Sequence, residues 1–424
     1  MSDDRRQVRQ RRVFHIPGYD PMHPRRYREL YRTESAAQAV ISGYDIAVSA
    51  RDKGEAFSWG VSALIDRADV TARVDVLLWS DIVRDSMAQS IPATYWQLAR
   101  TLWLYLRTGT LRRLTWMRKG PVLAALYPVF MLLGQLFAAL LVGGILGGTV
   151  AGVLYWLLAL AGLETGVIAT AVTGLALALK YGIWGTVVVV MLRWFKSLDH
   201  KLYAYYLMHD YAFSAGNRGA NPPALEKRMQ EFADQIAQAF TGTADEVLVV
   251  GHSSGAHLAI SVMADLIRDG RVPPNGPKLA LLTLGHVVPM VSFLPRARRL
   301  RSDLAFLAGS DALTWVDVTA PGDGCCFALC DPVAVTGVTP PGKHWPLIVS
   351  AAFTQTLSPA RWKELRWRFF RLHFQYLCAF DRPGDYDYFK ITAGPLTLAE
   401  RYRDRKPSKS RIDVAVSKYT SLMP

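Results

Sequence analysis

The order of hydrophobic and polar positions divides this 424-residue chain into three parts. In the first, short apolar runs alternate with polar ones. Val13-Phe14-His15-Ile16 is a strand-length run stopped by Pro17-Gly18, which predicts a buried strand and a sharp turn. The stretch 23–41 carries Tyr27, Leu30, Tyr31 and Ala37 on one side at helical spacing. Runs at 56–64 and 70–79 read as two more strands, the second with Val74, Val76 and Leu78 on one face. A largely helical stretch, 81–106, leads into the second part. There, no Asp, Glu, Lys, Arg or His occurs from Pro121 to Leu163, and Glu164 and Lys180 are the only charges before Leu192. In the third part helices are expected at 202–213 and 223–240, the latter with Leu225, Met229, Phe232, Ile236 and Phe240 on one stripe. A β-branched run, Glu246 to Val250, predicts a strand buried on both faces, followed by a helix over 256–269 and strands at 278–284 and 312–319. Strands alternating with helices predict an α/β fold: a mostly parallel sheet flanked by helices.

A membrane span needs ~20 apolar residues. The run from Pro121 to Leu163 exceeds that, so the α/β domain is expected to be interrupted by a transmembrane helical insertion. The expected organisation is 1–119 for the first part of the domain, with a basic arm at 1–12. The insertion takes 120–195, the second part of the domain 196–400, and a basic tail 401–424. Hydropathy permits two, three or four spans. An even number is favoured, because Lys and Arg flank the block on both sides and because strands before and after it must join one sheet. The simplest arrangement sends Pro121–Leu146 out and Gly166–Leu192 back, with 147–163 at the far interface or re-entering. Gly143, Gly144, Gly147, Gly148 and Gly152 offer small faces for close helix packing.

The net charge of +14 adds a partner class. Basic residues gather at Arg5 to Arg12, at both flanks of the apolar block, and from Arg401 to Arg411. No helix-turn-helix, zinc finger or aromatic RNA-binding signature accompanies them, so anionic membrane lipid is the expected partner and nucleic acid is not. The first twelve residues are mostly charged, unlike a cleavable signal peptide. The four cysteines, Cys325, Cys326, Cys330 and Cys378, form no C-x-x-C pair and read as reduced thiols. No P-loop, dinucleotide fingerprint or metal cluster is apparent, so neither cofactor nor metal is expected.

The chemistry concentrates after the 246–250 strand. Gly251-His252-Ser253-Ser254-Gly255 is a G-x-S-x-G string between a predicted strand and a predicted helix. In that setting the serine sits on a strained turn while the glycines let strand and helix pass closely. The helix N-terminus supplies N–H groups for an oxyanion. Ser253 is the expected nucleophile, and the backbone N–H of Ser254 an expected oxyanion donor. His257 would point away from Ser253 and pack.

This stretch resembles the α/β-hydrolase superfamily, especially lipases and esterases whose elbow reads G-H-S-x-G; the resemblance covers the parts on both sides of the apolar block but not the block. It implies a second oxyanion donor after an early strand, where His15-Ile16-Pro17-Gly18-Tyr19 fits with Gly18 or Tyr19, although the triple-glycine form of some esterases is missing. It also implies the order Ser, acid, His. Of nine histidines, His344 and His373 lie late enough, and His373 is favoured. Asp323, just past the 312–319 strand, is favoured as the acid by distance. Asp331, in Cys330-Asp331-Pro332-Val333, is the rival because some lipases carry Asp-Pro-Val there. Asp317 falls inside the strand and reads as structural. The implied activity is hydrolysis of a carboxylic, lipid-like ester by a serine hydrolase, expected at a bacterial inner membrane with its domain in the cytoplasm. A scaffold that keeps the fold without catalysis, and an acyltransferase using the same triad, are the alternatives.

Overall fold

The computed structural model describes residues 8–21, 25–50, 57–163 and 165–423. The first seven residues of the expected arm, the expected helix start at His23, the strand start at Ala56, and Glu164 lie outside them. The chain divides into two compact units: Met1–Ser86, Leu102–Ala124 and Phe213–Pro424 form the first, Met87–Thr101 and Ala125–Ala212 the second.

The first unit is an α/β structure built on one eight-stranded sheet. Its strands are β1 (Gln10–Ile16), β2 (Asp45–Ala50), β3 (Ser58–Ile65), β4 (Ala68–Val76), β5 (Glu246–His252), β6 (Lys278–Leu284), β7 (Thr314–Thr319) and β8 (Leu347–Ser350). The spatial order is β2-β3-β4-β1-β5-β6-β7-β8. The β2–β3 and β3–β4 pairs are antiparallel, and every other pair is parallel. Strand β1 lies at the centre, with Val13 opposite both Val74 and Leu248. Thus strands that precede the apolar block pair with strands that follow it.

All seven residues of β5 are buried, as a central strand covered on both faces must be. On one face, Val13, Val250, Leu282 and Val316 pack with Tyr27 and Tyr31 of the helix Arg25–Ser42 and with Tyr376, Phe380 and Phe389 of the C-terminal region. The helix Pro223–Gln238 buries Leu225, Met229, Phe232 and Ile236, the stripe its sequence predicts.

The described parts of both basic segments are held by specific bonds. Arg11 is buried in β1, where it donates to Glu246 at 2.7 Å and to the carbonyls of Gly394 and Leu396. Glu246 also accepts from the Leu398 N–H at 2.6 Å. Each nitrogen of the Arg11 guanidinium and each Glu246 carboxylate oxygen has a partner, which is what makes a buried ion pair tolerable. The expected tail also docks: Ile412 exchanges backbone hydrogen bonds with Leu329 and Asp331, and Val416 donates to Val335.

In the second unit two helices are long and apolar enough to cross a membrane, Lys119–Leu160 and Gly166–Ser197, the first of which begins in the first unit. Their most apolar windows are only 22% and 11% buried, unlike the core helix of a globular domain. The first runs unbroken through 147–160, so the separate interfacial segment expected there is absent. Of the glycines expected to pack, Gly143 and Gly147 do so, whereas a Cβ on Gly144, Gly148 or Gly152 would meet nothing within 4 Å. A Cβ on Gly143 would stand 2.9 Å from the Trp184 carbonyl, and one on Gly147 would stand 2.4 Å from that of Lys180. Close approach of the two helices therefore requires glycine at both positions.

Candidate active site

Ser253 occupies the junction between β5 and the helix Gly255–Arg268. Its φ of +57° is left-handed, a conformation that costs a residue with a Cβ about 1–3 kcal/mol and recurs at functional turns. The flanking glycines are required by space. A Cβ on Gly251 would meet the Ala256 Cα at 2.7 Å, and one on Gly255 would meet the Ile16 carbonyl at 2.2 Å. The Ser253 N–H donates to the Leu284 carbonyl at 2.9 Å, which anchors the turn to the end of β6. From Glu246 to Ala264, Ser253 is the one residue that is not buried.

The loop after β7 supplies an acid, and a short helix well after β8 supplies a histidine. His373 closes the short helix Phe369–His373, and its Nδ1 lies 2.7 Å from Asp323 Oδ2. A carboxylate only accepts, so Nδ1 carries the proton and Nε2 is left with a lone pair. Asp323 follows β7 by four residues and is buried. Its Oδ2 also accepts from the Tyr376 hydroxyl at 3.1 Å, and its Oδ1 from the Cys325 N–H at 2.9 Å. Burial alone would raise the Asp323 carboxyl, but the charge and hydrogen bond of His373, with the Cys325 N–H, outweigh it and hold the group below its ordinary range.

His373 is brought towards the elbow by two contacts. His252 lies with its ring 4.8 Å from that of His373, and its Nε2–H donates to the His373 carbonyl at 3.0 Å. Burial, and then the charge of His373, push the His252 imidazole well below its usual range, so it serves as a neutral donor. Gly285, one residue past the carbonyl that anchors Ser253, leaves room for both rings. A Cβ there would stand 3.1 Å from His373 Cε1 and 2.7 Å from the Tyr376 ring.

The segment after β1 closes the other side. A Cβ on Gly18 would meet that of Ser253 at 3.0 Å, so Gly18 lies directly against the elbow. The Tyr19 N–H points to the elbow as well, but it donates to Ser254 Oγ at 2.7 Å. Ser254 therefore contributes its buried hydroxyl, where only its backbone was expected to act. The Trp79 indole N–H donates to the Pro17 carbonyl at 2.9 Å and fixes this turn.

The rival residues lie elsewhere. Asp331 is the N-cap of the helix Pro332–Thr336, accepting from the N–H groups of Val333 and Ala334 and pairing with Lys343. The Asp-Pro pattern there is a helix-start signal. His344 sits by the N-terminal ends of β5, β6 and β7, in a cleft with Glu246, Lys278 and Thr314, at the opposite edge of the sheet from Ser253. It is exposed and lies 3.7 Å from Asp311. His257 is buried in the helix after the elbow, where burial lowers its pKa to about 4.

Tyr376, His252 and Gly285 were not singled out from sequence. Tyr376 carried a signal: it stands three residues after His373, one helical turn on. Asp323, Cys325 and His373 also present ligand atoms within 4.8 Å of one another, a possible cation site. Burial, and then the Asp323 charge, drive the Cys325 thiol well above its usual pKa, which disfavours the thiolate a metal would require. The cluster is better suited to sharing a proton between His373 and Asp323. No model of a known protein family, no curated protein and no solved structure matches the chain.

Proposed function

We propose that the protein is a membrane-anchored serine hydrolase of the α/β-hydrolase type that cleaves carboxylic, lipid-like esters through Ser253, His373 and Asp323. The observation that carries this reading is the accessible Ser253 at φ +57° on a strand-to-helix turn, together with a histidine whose carbonyl is held by His252, the residue before Ser253, and whose Nδ1–H is committed to a buried aspartate. That arrangement fits acyl transfer. His373 Nε2 takes the hydroxyl proton as Ser253 Oγ bonds to the ester carbonyl carbon. Asp323 holds the ring and stabilises the imidazolium. The oxyanion is received by the N–H groups of Ser254 and of the Gly18-Tyr19 turn, where the Ser254 hydroxyl releases or shares the Tyr19 donor. Collapse of the tetrahedral species breaks the C–O bond, and His373 returns the proton to the departing alcohol. Water, deprotonated by the same nitrogen, then releases the acid and regenerates Ser253.

The two long apolar helices form the anchor in this reading. Because β1 and β5 belong to one sheet, both ends of the hairpin emerge on one side of the bilayer. The Lys and Arg flanks make that side the cytoplasm. Reporter fusions after Lys119 and after Ser197 should both read cytoplasmic, and opposite readings would break the single-sheet topology.

The chemistry is tested with the full chain in lipid nanodiscs and a fluorophosphonate probe. Wild-type protein is expected to be labelled at Ser253 and to hydrolyse a p-nitrophenyl ester, and Ser253→Ala to lose both. Undiminished hydrolysis by Ser253→Ala refutes the assignment, and a folded wild type that takes no label identifies a non-catalytic scaffold.

A further inference from the structure

A second feature lies next to the candidate active site. Trp367 is 72% exposed and Phe369 is 49% exposed, in a segment that continues directly into His373. Between residues 361 and 371, five basic side chains (Arg361, Lys363, Arg366, Arg368 and Arg371) face a single carboxylate, Glu364. Lys363, Arg366, Trp367, Arg368, Phe369 and Arg371 are all exposed. The Arg366 guanidinium stands 5.6 Å from the Trp367 ring centre. Large aromatic rings held out into solvent beside cations are poorly suited to water and well suited to a headgroup layer, where ring and cation are each satisfied.

The position of this segment specifies the partner. The Phe369 ring lies over Gly324, where a Cβ would stand 3.3 Å from it. Gly324 in turn packs on Gly120, whose own Cβ would stand 3.2 Å from the Gly324 Cα. Gly120 is in the first turn of the apolar helix Lys119–Leu160, and all three residues belong to the first unit. Just before that helix, Trp116 is also exposed, with Arg112 and Arg113 at 5.2 and 5.4 Å from its ring centre. Two exposed tryptophans, each paired with arginine, therefore border the start of the apolar helix.

We propose that residues 366–371, with Trp116, form a docking surface for the anionic headgroup layer of a bilayer. The aromatic rings enter the interface and the arginines meet lipid phosphates. Asp323 immediately precedes Gly324, and His373 follows Phe369 by four residues, so docking here places the lipid surface next to the segments that carry the acid and the base. The docking itself does not require the hydrolase reading. Its consequence, delivery of a lipid-borne ester to Ser253, rests on that reading.

Hydroxyl-radical footprinting of Trp367 in the full-length protein tests the surface without reference to activity. Nanodiscs of phosphatidylcholine alone are compared with nanodiscs containing roughly a third phosphatidylglycerol. Trp367 modification is expected to fall roughly fivefold in the anionic discs, and Arg366→Glu with Arg368→Glu to abolish that protection. Equal modification of wild-type Trp367 in both lipids overturns the docking surface, whatever the activity. Protection in a wild-type protein that hydrolyses no ester upholds the surface and removes the hydrolase reading. In an active protein, the double variant should slow cleavage of a bilayer-embedded ester roughly tenfold and leave that of a water-soluble ester within twofold; equal rates on the embedded ester would overturn the delivery of a lipid-borne ester from this surface.

Discussion

Among the described residues of the first unit, two buried contacts join a histidine to an aspartate, and they are built for different purposes. In one, His373 Nδ1 meets Asp323 at 2.7 Å, and the His373 carbonyl is held by His252, the residue before Ser253. In the other, His286 Nε2 lies 3.6 Å from Asp317, with both residues fully enclosed. His286 has neither nitrogen to spare. Its Nδ1 accepts from the Val288 N–H at 3.3 Å and its Nε2 donates to the Cys330 carbonyl at 3.0 Å. Asp317 accepts from the Thr283 hydroxyl at 2.6 Å, and its second oxygen has no hydrogen-bond partner. The two carboxyls respond in opposite directions. Burial raises Asp317 to about 6, because the His286 charge and the Thr283 bond only partly offset it. At Asp323 the balance tips the other way. A histidine–aspartate contact is thus not a functional sign in itself; the imidazole must keep one nitrogen free, and the acid must stay ionised.

Four substitutions test this contrast. The largest effect is expected on turnover: Asp323→Asn should lower kcat by roughly 10⁴-fold and His373→Ala at least as severely, since nucleophile and base act as a unit. His286→Ala and Asp317→Asn, assayed with the same ester, should stay within about tenfold of wild type. A dead Asp317→Asn with an active Asp323→Asn would reverse the two roles.

The next effect is on stability. Asp317 binds its proton more tightly in the folded state than the ordinary value of 3.8, so its contribution falls as pH rises from there through about 6. Relative to wild type, Asp317→Asn should gain about 2 kcal/mol between pH ~4 and pH ~7 in denaturant unfolding. Asp323 has the opposite sign: the stability from its ionised form is present above 3.8 and lost as pH falls through the lower folded value. A pH-independent difference between Asp317→Asn and wild type would show that Asp317 is not held protonated by burial.

Smaller again is Tyr376→Phe, which removes one hydrogen bond to the ionised Asp323. A ten- to hundredfold fall in kcat is expected with KM little changed, from the ~1.5–3 kcal/mol of a bond to a charged group. The smallest is Ser254→Ala, which frees the Tyr19 N–H. Loss of a neutral hydrogen bond of about 1 kcal/mol predicts a kcat change within about fivefold. A hundredfold loss would mean that the Ser254 hydroxyl itself holds the oxyanion.

Much of the candidate site was legible in the sequence because its signals are local. The run from Glu246 to Val250, the two glycines around Ser253 and the helix after them are consecutive, and each follows from close packing at one turn. Asp323 was separable from Asp331 by its distance from β7. The missed features are those that residues distant in sequence create together. The bond from His252 to His373 spans 121 positions, and the space that Gly285 leaves becomes visible only when His373 and Tyr376 arrive. Among the strands, β2 and β8 escaped. The first is an edge strand with only Ile46 and Val48 as larger apolar residues, and the second has four residues. The helix Lys119–Leu160 was divided in the expectation by the ~20-residue length of a span, whereas it continues unbroken to Leu160.

The central pairing of β1 with β5 also imposes a schedule. Arg11 meets Glu246 across 235 positions, and the whole apolar hairpin is synthesised between them. At typical elongation rates of about 5–20 residues per second, β1 emerges some tens of seconds before its partner exists. During that interval its inner edge offers unpaired N–H and C=O groups to any passing strand. Completion of the sheet must therefore wait until the hairpin has been synthesised, and a ribosome stalled within the hairpin leaves an aggregation-prone half-sheet for chaperones to shield.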